Sequence, residues 1–345
     1  MTFEIVPMLA GDLYDSASRF GVDTLQALSA SQDLGASRAG AWKQAVEMGW
    51  PAVLIAEAHG GAGGTLADIA CLVEATAGSA LALPVVDRGA VVPTLLNAAG
   101  TPRCAALLER IAAAEADVAS LLEPATTRVD LTVGATHYLI ALPERRVLVA
   151  VEAQALPVGR RYRSVDGRTM ADVVTQRLPT DTSRVVARDA DFDRAWTAAR
   201  NVGALLVCAE AVGGQGALVK LTIEYLATRK QFGHPLATQQ VLRHRVVDMY
   251  VGYECTRGLV GRTLQDAVDG GVADTQSVSL VKSYTSKTSR TCAESAIQLH
   301  GGMGMTEELL VARLAERMIS AEFDYGDRYV HLRRLARSTA ETATV

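Results

Sequence analysis

Three glycines within four positions interrupt a helical pattern near the end of the chain. An alanine- and serine-rich segment runs to Gln298 and then meets Gly301, Gly302 and Gly304, which a regular helix accommodates only at a cost. Thr306, followed by two glutamates, is typical of a new helix start. Backbone amides left bare by glycine beside a helix N-terminus suit a phosphate oxygen, and we expect Gln298 and His300 to add side-chain donors. The alternative is a plain joint between two helices.

A second motif lies upstream, in the string YLATRKQFGHPLATQQ of residues 225–240. Helical spacing before it predicts a helix that carries Arg229 and Lys230 at its C-terminal end, where positive charge is favoured. Gly233 and Pro235 then end that helix, and apolar residues at helical spacing from Leu242 start another.

Together the two motifs resemble the C-terminal helical domain of the acyl-CoA dehydrogenase family. RKQFGHPL followed by QQ, and then QLHGGMG, have the family's order and separation, which makes the signal specific. In that family the two motifs contact the ADP half of an FAD that belongs to the neighbouring subunit. The resemblance therefore implies FAD contacts for seven residues of this chain: Arg229, Gln231, Phe232, Gln240, Gln298, Gly301 and Gly302.

The resemblance also implies a carboxylate base. The family's enzymes remove the α-proton of an acyl-CoA thioester while a hydride leaves the β-carbon for the flavin, and this needs a base near the ring. The family's usual base position falls on Tyr325 when counted from Gly302 and on Gly326 when counted back from Arg333, and a second family position falls on Gly203. None of these residues is a carboxylate.

Three other carboxylates are candidates. Asp324 and Asp327 lie beside the usual position, although each needs a shift in the alignment. Glu210 lies on an otherwise apolar helix face, where a buried glutamate is more often paired with an arginine than catalytic. The catalytic residue stays unknown at this stage.

The flavin-ring half of the family's site is degraded as well. Leu122, Glu123 and Pro124 correspond to the start of a family loop, but the string continues without glycine, and no tryptophan occurs between Trp50 and Trp196. The elements that serve a neighbour's FAD are intact, whereas those that would serve the chain's own flavin are lost. We therefore expect a partner chain, a catalytic acyl-CoA dehydrogenase subunit. The resemblance to the family's heteromeric assemblies implies a heterotetramer (α2β2) that binds FAD and an acyl-CoA, such as a fatty acyl or bulky steroid side-chain thioester.

Composition sets the remaining limits. The 345 residues are 49% hydrophobic with a formal charge of −4, which gives no footprint for nucleic acid or acidic membranes. No stretch is expected to span a bilayer, and the N-terminus is not expected to be a secretory signal. Five dispersed cysteines indicate buried free thiols in a reducing cytoplasm, and the six histidines show no metal-ligand spacing.

The elements that must position the motifs predict an α+β, mainly α fold. We expect an N-terminal helical domain (residues 1–116), a reduced central β domain (117–189) and a C-terminal four-helix bundle (190–345) that mediates assembly. The predicted strands are 138–141, 146–151 and 173–178. A flexible glycine turn at 60–64, a cap at Thr65 and a glutamate near the helix end, Glu74, resemble the family's N-terminal domain.

Two rival functions remain open. One is a self-sufficient acyl-CoA dehydrogenase or related flavoenzyme with Asp327 or Asp324 as a displaced base. The other is a flavin-free scaffold, a binding or structural protein of the same fold. Yellow colour in the chain purified alone would favour the first.

Overall fold

Helices form most of the protein, and the computed structural model describes residues 4–30, 34–122, 128–174, 178, 184–231, 233–306 and 308–343. The predicted α+β, mainly α class is confirmed. The helices are α1 (Asp12–Ala30), α2 (Leu34–Glu47), α3 (Leu66–Ala77), α4 (Val92–Ala99), α5 (Pro102–Ala112), α6 (Asp189–Thr228), α7 (Gln240–Gly270), α8 (Thr275–His300), α9 (Leu310–Ala321) and α10 (Arg328–Ala343).

The strands lie mainly between the fifth and sixth helices. They are β1 (Val118–Leu121), β2 (Arg128–Asp130), β3 (His137–Leu142), β4 (Val147–Glu152), β5 (Val158–Arg163), β6 (Thr169–Val173), β7 (Val185–Arg188), β8 (Lys230–Gln231) and β9 (His234–Pro235). One sheet has the order β1-β3-β4-β7, with β1 and β3 parallel, and a second has the order β2-β6-β5. Alternate residues of both sheets, among them Tyr138, Val149 and Ala171, form a shared apolar core.

The chain divides into two compact units, each assembled from separate stretches. The first contains residues 1–25, 70–82 and 204–345, and the second contains residues 26–69 and 83–203. Neither unit is one continuous segment, so the units do not test the predicted domain boundaries at 116/117 and 189/190. Those boundaries stay predictions.

A helical bundle forms most of the first unit. Helix α8 lies at its centre and packs against α7, α9 and α10. Polar contacts tie α8 to two neighbours, since Gln215 of α6 donates to the Ser289 hydroxyl over 2.8 Å and the Thr256 hydroxyl of α7 lies 2.9 Å from that of Thr288.

Glycines 213, 214 and 216 let other segments approach α6 closely. A β-carbon on Gly213 would lie 2.1 Å from the Glu74 carbonyl oxygen, and one on Gly214 would lie 2.5 Å from the Met318 side chain. Neighbouring segments of the same chain therefore account for these glycines.

The turn before α3 is closely packed rather than flexible, which corrects one expectation. A β-carbon on Gly61 would lie 2.1 Å from the Ile55 carbonyl oxygen, and the amide of Gly63 donates to that same oxygen over 2.8 Å. The predicted cap is confirmed: the Thr65 hydroxyl accepts from the Asp68 amide at 3.4 Å, and the Asp68 carboxylate accepts from the Thr65 amide at 2.7 Å.

Two other local predictions are wrong. Thr306 does not start a helix, because its hydroxyl donates back to the Met303 carbonyl over 3.0 Å and α9 begins only at Leu310. The strand predicted at 173–178 instead ends at Val173 as β6, with Val174 and Leu178 outside it and residues 175–177 outside the described part of the chain.

The structure corrects two expectations that were drawn from composition, one on the cysteines and one on membrane-spanning stretches. Cys71, Cys104, Cys208 and Cys292 are buried free thiols as expected, but Cys255 is exposed. Helix α6 contains an 18-residue window with mean hydropathy 1.6 that is long and apolar enough to cross a membrane by length and composition alone, so the premise that no stretch is long or apolar enough was wrong. Because 89% of that window is buried within the protein, its apolar character matches that of a core helix.

Candidate functional site

The two sequence motifs meet at one end of the bundle. The rings of Tyr225, in the last turn of α6, and His300, the last residue of α8, stack with their centroids 4.3 Å apart. The Tyr225 hydroxyl also donates to the His300 carbonyl over 3.3 Å. This contact brings the α6–α7 connection and the α8–α9 connection to one place.

His300 is a structural residue of this junction. Its Nδ1 lies 2.8 Å from the Ala296 carbonyl oxygen, and because a carbonyl only accepts, Nδ1 carries the proton. Burial lowers the pKa of His300 below its ordinary 6.5, with the bond to Ala296 acting in the opposite direction. At neutral pH we therefore treat the ring as neutral and as the anchor of the turn that follows.

The first motif presents its polar side chains to solvent. Helix α6 ends at Thr228, and residues 230–235 form the two-stranded hairpin β8–β9 around Gly233, whose φ is +84°. Arg229, Gln231 and Gln240 are exposed. Their side chains have no hydrogen-bond or ion-pair partner among the described residues. Phe232, the fourth member predicted in this motif, lies outside the described part of the chain.

The second motif is a tight turn with three glycines in different roles. Gly301 has φ +63° and ψ −144°, a conformation open essentially to glycine alone. A β-carbon on Gly304 would lie 2.7 Å from the Ile297 carbonyl oxygen, so packing within the turn requires this glycine. A β-carbon on Gly302 would meet nothing within 4 Å, and its φ is not positive. Within the described residues, nothing in the chain itself explains a glycine at 302.

These features fit the phosphate-bearing half of a dinucleotide. The exposed guanidinium of Arg229 and the amides of Gln231, Gln240 and Gln298 are donors that match phosphate and ribose oxygens. The bare backbone at Gly302 permits a close approach by a ligand. The predicted contact residues other than Phe232 thus lie in or beside the two connections that meet at one end of the bundle, and their assignment to FAD stays a prediction.

The three candidate carboxylates lie elsewhere and are engaged with the protein itself. Glu210 forms a buried bidentate ion pair with Arg317, with Nε–Oε1 2.6 Å and Nη2–Oε2 2.7 Å. Asp324 accepts from the Nη1 of the same arginine at 3.1 Å. Asp327 caps α10 by accepting from the Val330 amide at 2.8 Å.

The turn at the family's usual base position is held by basic side chains. Lys282 is buried and its Nζ donates to the carbonyls of Ala321 and Glu322 over 2.9 and 3.2 Å. Burial lowers the pKa of Lys282, and nearby acidic groups oppose this shift. Arg290 pairs with the Glu322 carboxylate at 2.6 Å. Sequence reasoning missed Lys282 and Arg317 because no local spacing links them to their partners.

The structure describes only part of the segment that corresponds to the family's flavin-ring loop. Residues 123–127, which include Glu123 and Pro124, lie outside the described part of the chain. Leu122 is buried, and its carbonyl accepts from the Trp196 indole over 3.0 Å.

Comparison with known proteins agrees with the fold and with the motifs. Residues 193–340 match the acyl-CoA dehydrogenase C-terminal domain. The sequence is 28% identical to acyl-CoA dehydrogenase IpdE2 of Mycobacterium tuberculosis over 263 residues, which are 76% of this chain and 74% of that protein.

Solved structures match nearly the whole chain. A chain of the ChsE4-ChsE5 complex from Mycobacterium tuberculosis superposes with a TM-score of 0.79 at 17% identity and covers 97% of this chain and 99% of that one. A variant of the Tcur3481-Tcur3483 steroid ACAD gives a TM-score of 0.80 at 22% identity, with 97% and 98% coverage. At these identities the structural matches establish the fold.

Proposed function

Because this chain has the acyl-CoA dehydrogenase fold and carries that family's C-terminal domain, we propose that it is a subunit of an FAD-dependent acyl-CoA dehydrogenase. Its role is to complete the FAD site of a catalytic partner chain. One observation carries this proposal: four polar side chains of the two motifs stand exposed and without partners among the described residues, next to a glycine that its own fold does not need.

The residues of this chain act by binding. Arg229 and Gln298 would donate hydrogen bonds to the ADP half of the partner's FAD, and the missing side chain at Gly302 would let the cofactor approach the backbone closely. When bound, FAD supplies the hydride acceptor for α,β-dehydrogenation of the thioester. The base that removes the α-proton belongs to the partner, because Glu210, Asp324 and Asp327 each hold this chain's own structure together.

The assembly we propose is a heterotetramer of two chains of each kind. Two names among the structural relatives support it, since one is a ChsE4-ChsE5 complex and the other a Tcur3481-Tcur3483 steroid ACAD. A bulky acyl-CoA, such as a steroid side-chain thioester, is the substrate class that we infer from them. A cytoplasmic location stays a prediction from the free thiols.

The experiment that tests this function is purification of the chain alone and together with a catalytic acyl-CoA dehydrogenase encoded beside it. The chain alone should be colourless. The mixture should contain both chains, show flavin absorbance and dehydrogenate acyl-CoA thioesters. Bound flavin and turnover in the chain alone, lost in Asp327→Asn or Asp324→Asn, would instead establish the self-sufficient enzyme. A homo-oligomer of this chain that contains no flavin and does not bind the second chain would establish a scaffold.

A further inference from the structure

Residues 5–9, near the N-terminus, lie outside every described helix and strand, yet they contact three helices of the first unit. We call this segment the strap. Its side chains are half-buried or exposed, and Val6 is 61% exposed. Because no regular secondary structure supplies hydrogen bonds to the strap, side chains of other elements bond its backbone groups.

Helix α3 holds the strap through one buried carboxylate. Glu74 is 2% exposed, and its Oε1 accepts from the Met8 amide at 2.6 Å while its Oε2 accepts from the Leu9 amide at 3.3 Å. Acceptance by both oxygens is the pattern of an ionised carboxylate. Burial raises the pKa of Glu74, whereas the two strap amides and Arg257 lower it. The strap therefore stabilises the charge of the residue that holds it.

Helix α7 contacts the same segment. The Tyr253 hydroxyl donates to the Val6 carbonyl over 3.1 Å. The Met8 side chain fills the space beside Gly261, where a β-carbon would lie 3.4 Å from the Met8 Cγ. These contacts join the strap to α7 at two positions about two turns apart.

Helix α6 receives the first residue of the strap. A β-carbon on Gly216 would lie 3.2 Å from the Ile5 Cγ2, so the missing side chain makes room for Ile5. The strap thus links α3 with α6 and α7, through backbone hydrogen bonds and two apolar side chains that pack against glycines.

The first three turns of α7 have little packing of their own. All of residues 240–251 are described, and Met249 is the only buried residue among them. Gln240, the first residue of the helix, belongs to the first motif. The strap contact at Tyr253 follows directly after this weakly packed stretch. Segments with few buried apolar contacts open locally at a lower free energy than the whole fold.

We propose that the strap is a releasable clamp, and that its release frees the first half of α7 and with it the first motif. In the closed form, Glu74 and Tyr253 hold the strap and α7 presents Gln240 in a fixed position. In the open form, the strap leaves while the rest of the bundle stays folded, since a short terminal segment opens without global unfolding. The consequence for FAD rests on the proposed function, and the opening itself does not.

Met8→Pro tests the strap alone, because it removes the amide that Glu74 accepts and the side chain beside Gly261 without a change in α3 or α7. Native-state hydrogen exchange of the full-length chain in low urea separates local opening from global unfolding, since only global unfolding exposes enough surface for a steep urea dependence. We expect the amides of residues 244–251 to exchange about tenfold faster or more, with a weak urea dependence. Tyr253→Phe should accelerate them by about fivefold.

Tyr329→Phe is the matched control for Tyr253→Phe, since Tyr329 is a tyrosine of α10 that is 63% exposed. It should leave the exchange of residues 244–251 unchanged. Unchanged exchange of these amides in Met8→Pro would overturn the proposal. So would a urea dependence as steep as that of the α8 amides in every variant, because α7 would then open only when the whole unit unfolds.

The link to the first motif has its own readout. In the two-chain complex, Met8→Pro should lower the FAD affinity several-fold, whereas Tyr329→Phe should bind FAD as the unmodified chain does. Faster exchange of α7 with unchanged FAD affinity would overturn control of the motif by the strap. Failure of the FAD proposal looks different, because the unmodified complex would then contain no flavin while the exchange results stayed as expected.

Discussion

Glu210 of α6 and Arg317 of α9 form a bidentate ion pair in the interior of the first unit, 107 positions apart in the sequence. Both residues are less than a tenth exposed, at 8% and 7%. The remaining Nη1 of Arg317 bonds Asp324 at 3.1 Å. The Arg317 guanidinium therefore pairs with both Glu210 and Asp324, which are two of the three carboxylates considered as catalytic bases. This favours a structural role for both carboxylates.

The first prediction follows from removal of one charge from this pair. Glu210→Gln leaves the shape of the side chain but removes the anion, so the buried guanidinium loses its main counter-charge. We expect a loss of about 3 kcal/mol in the free energy of unfolding, measured by urea denaturation.

Asp266→Asn is the control for Glu210→Gln. It breaks the exposed Arg262–Asp266 pair on α7, where the arginine and aspartate side chains are 80% and 54% exposed, and should change stability by less than about 0.5 kcal/mol. Unchanged stability of Glu210→Gln, combined with loss of turnover in the two-chain complex, would identify Glu210 as catalytic and contradict the structural role.

Local signals explain what the sequence predicted correctly. The Thr65 cap, the helices α7 and α8, and the turns at Gly233 and Gly301 all depend on residues within a few positions of one another. The family resemblance assigned both motifs to the same ligand, and the Tyr225–His300 stacking brings together the two connections that carry them.

Contacts between distant residues explain what the sequence missed. Lys282 binds carbonyls about 40 positions away, and Arg317 binds a carboxylate 107 positions away, so no periodicity points to either pair. The edge strand β5 is almost entirely polar and exposed and lacks the alternation that identifies a strand.

The second prediction separates two glycines of the same turn. Gly302→Ala should leave the stability of the chain unchanged, because its β-carbon meets nothing within 4 Å, but should lower FAD retention in the two-chain complex by about tenfold. Gly304→Ala should destabilise the chain itself, by about 1–3 kcal/mol, through the clash with the Ile297 carbonyl. Thermal melts of the chain alone and flavin absorbance of the complex give the two readouts. Full flavin retention in Gly302→Ala would argue against a ligand at this turn.

The third prediction concerns the exposed arginine of the first motif. Arg229→Gln removes a charged donor that has no partner among the described residues, so the chain's own stability should change by less than about 0.5 kcal/mol. The complex should lose FAD more readily, with an affinity lower by about tenfold or more. Arg337→Gln, at an exposed arginine on α10, is the charge-matched control and should retain FAD normally. Equal behaviour of the two variants would remove Arg229 from the FAD site.

The last prediction concerns Asp87, in the π-helical turn before α4, which accepts from the Ser120 amide at 3.1 Å and from its hydroxyl at 2.5 Å. Burial raises the pKa of Asp87 from 3.8 to about 6, although the Ser120 bonds and Arg88 oppose the shift. Because the folded state holds the proton more tightly than the unfolded chain, its contribution to stability is complete below 3.8 and is lost as pH rises through about 6.

Asp87→Asn keeps an acceptor for the Ser120 amide and removes the titration. The variant should therefore gain stability relative to the unmodified chain as pH rises from 4 to 7, by on the order of 2 kcal/mol. Urea denaturation across this range measures the difference, and Asp191→Asn, which alters an exposed pair with Arg194, should give a curve parallel to that of the unmodified chain. A constant offset between Asp87→Asn and the unmodified chain at every pH would mean that Asp87 titrates alike in both states and that its burial imposes no proton uptake on folding.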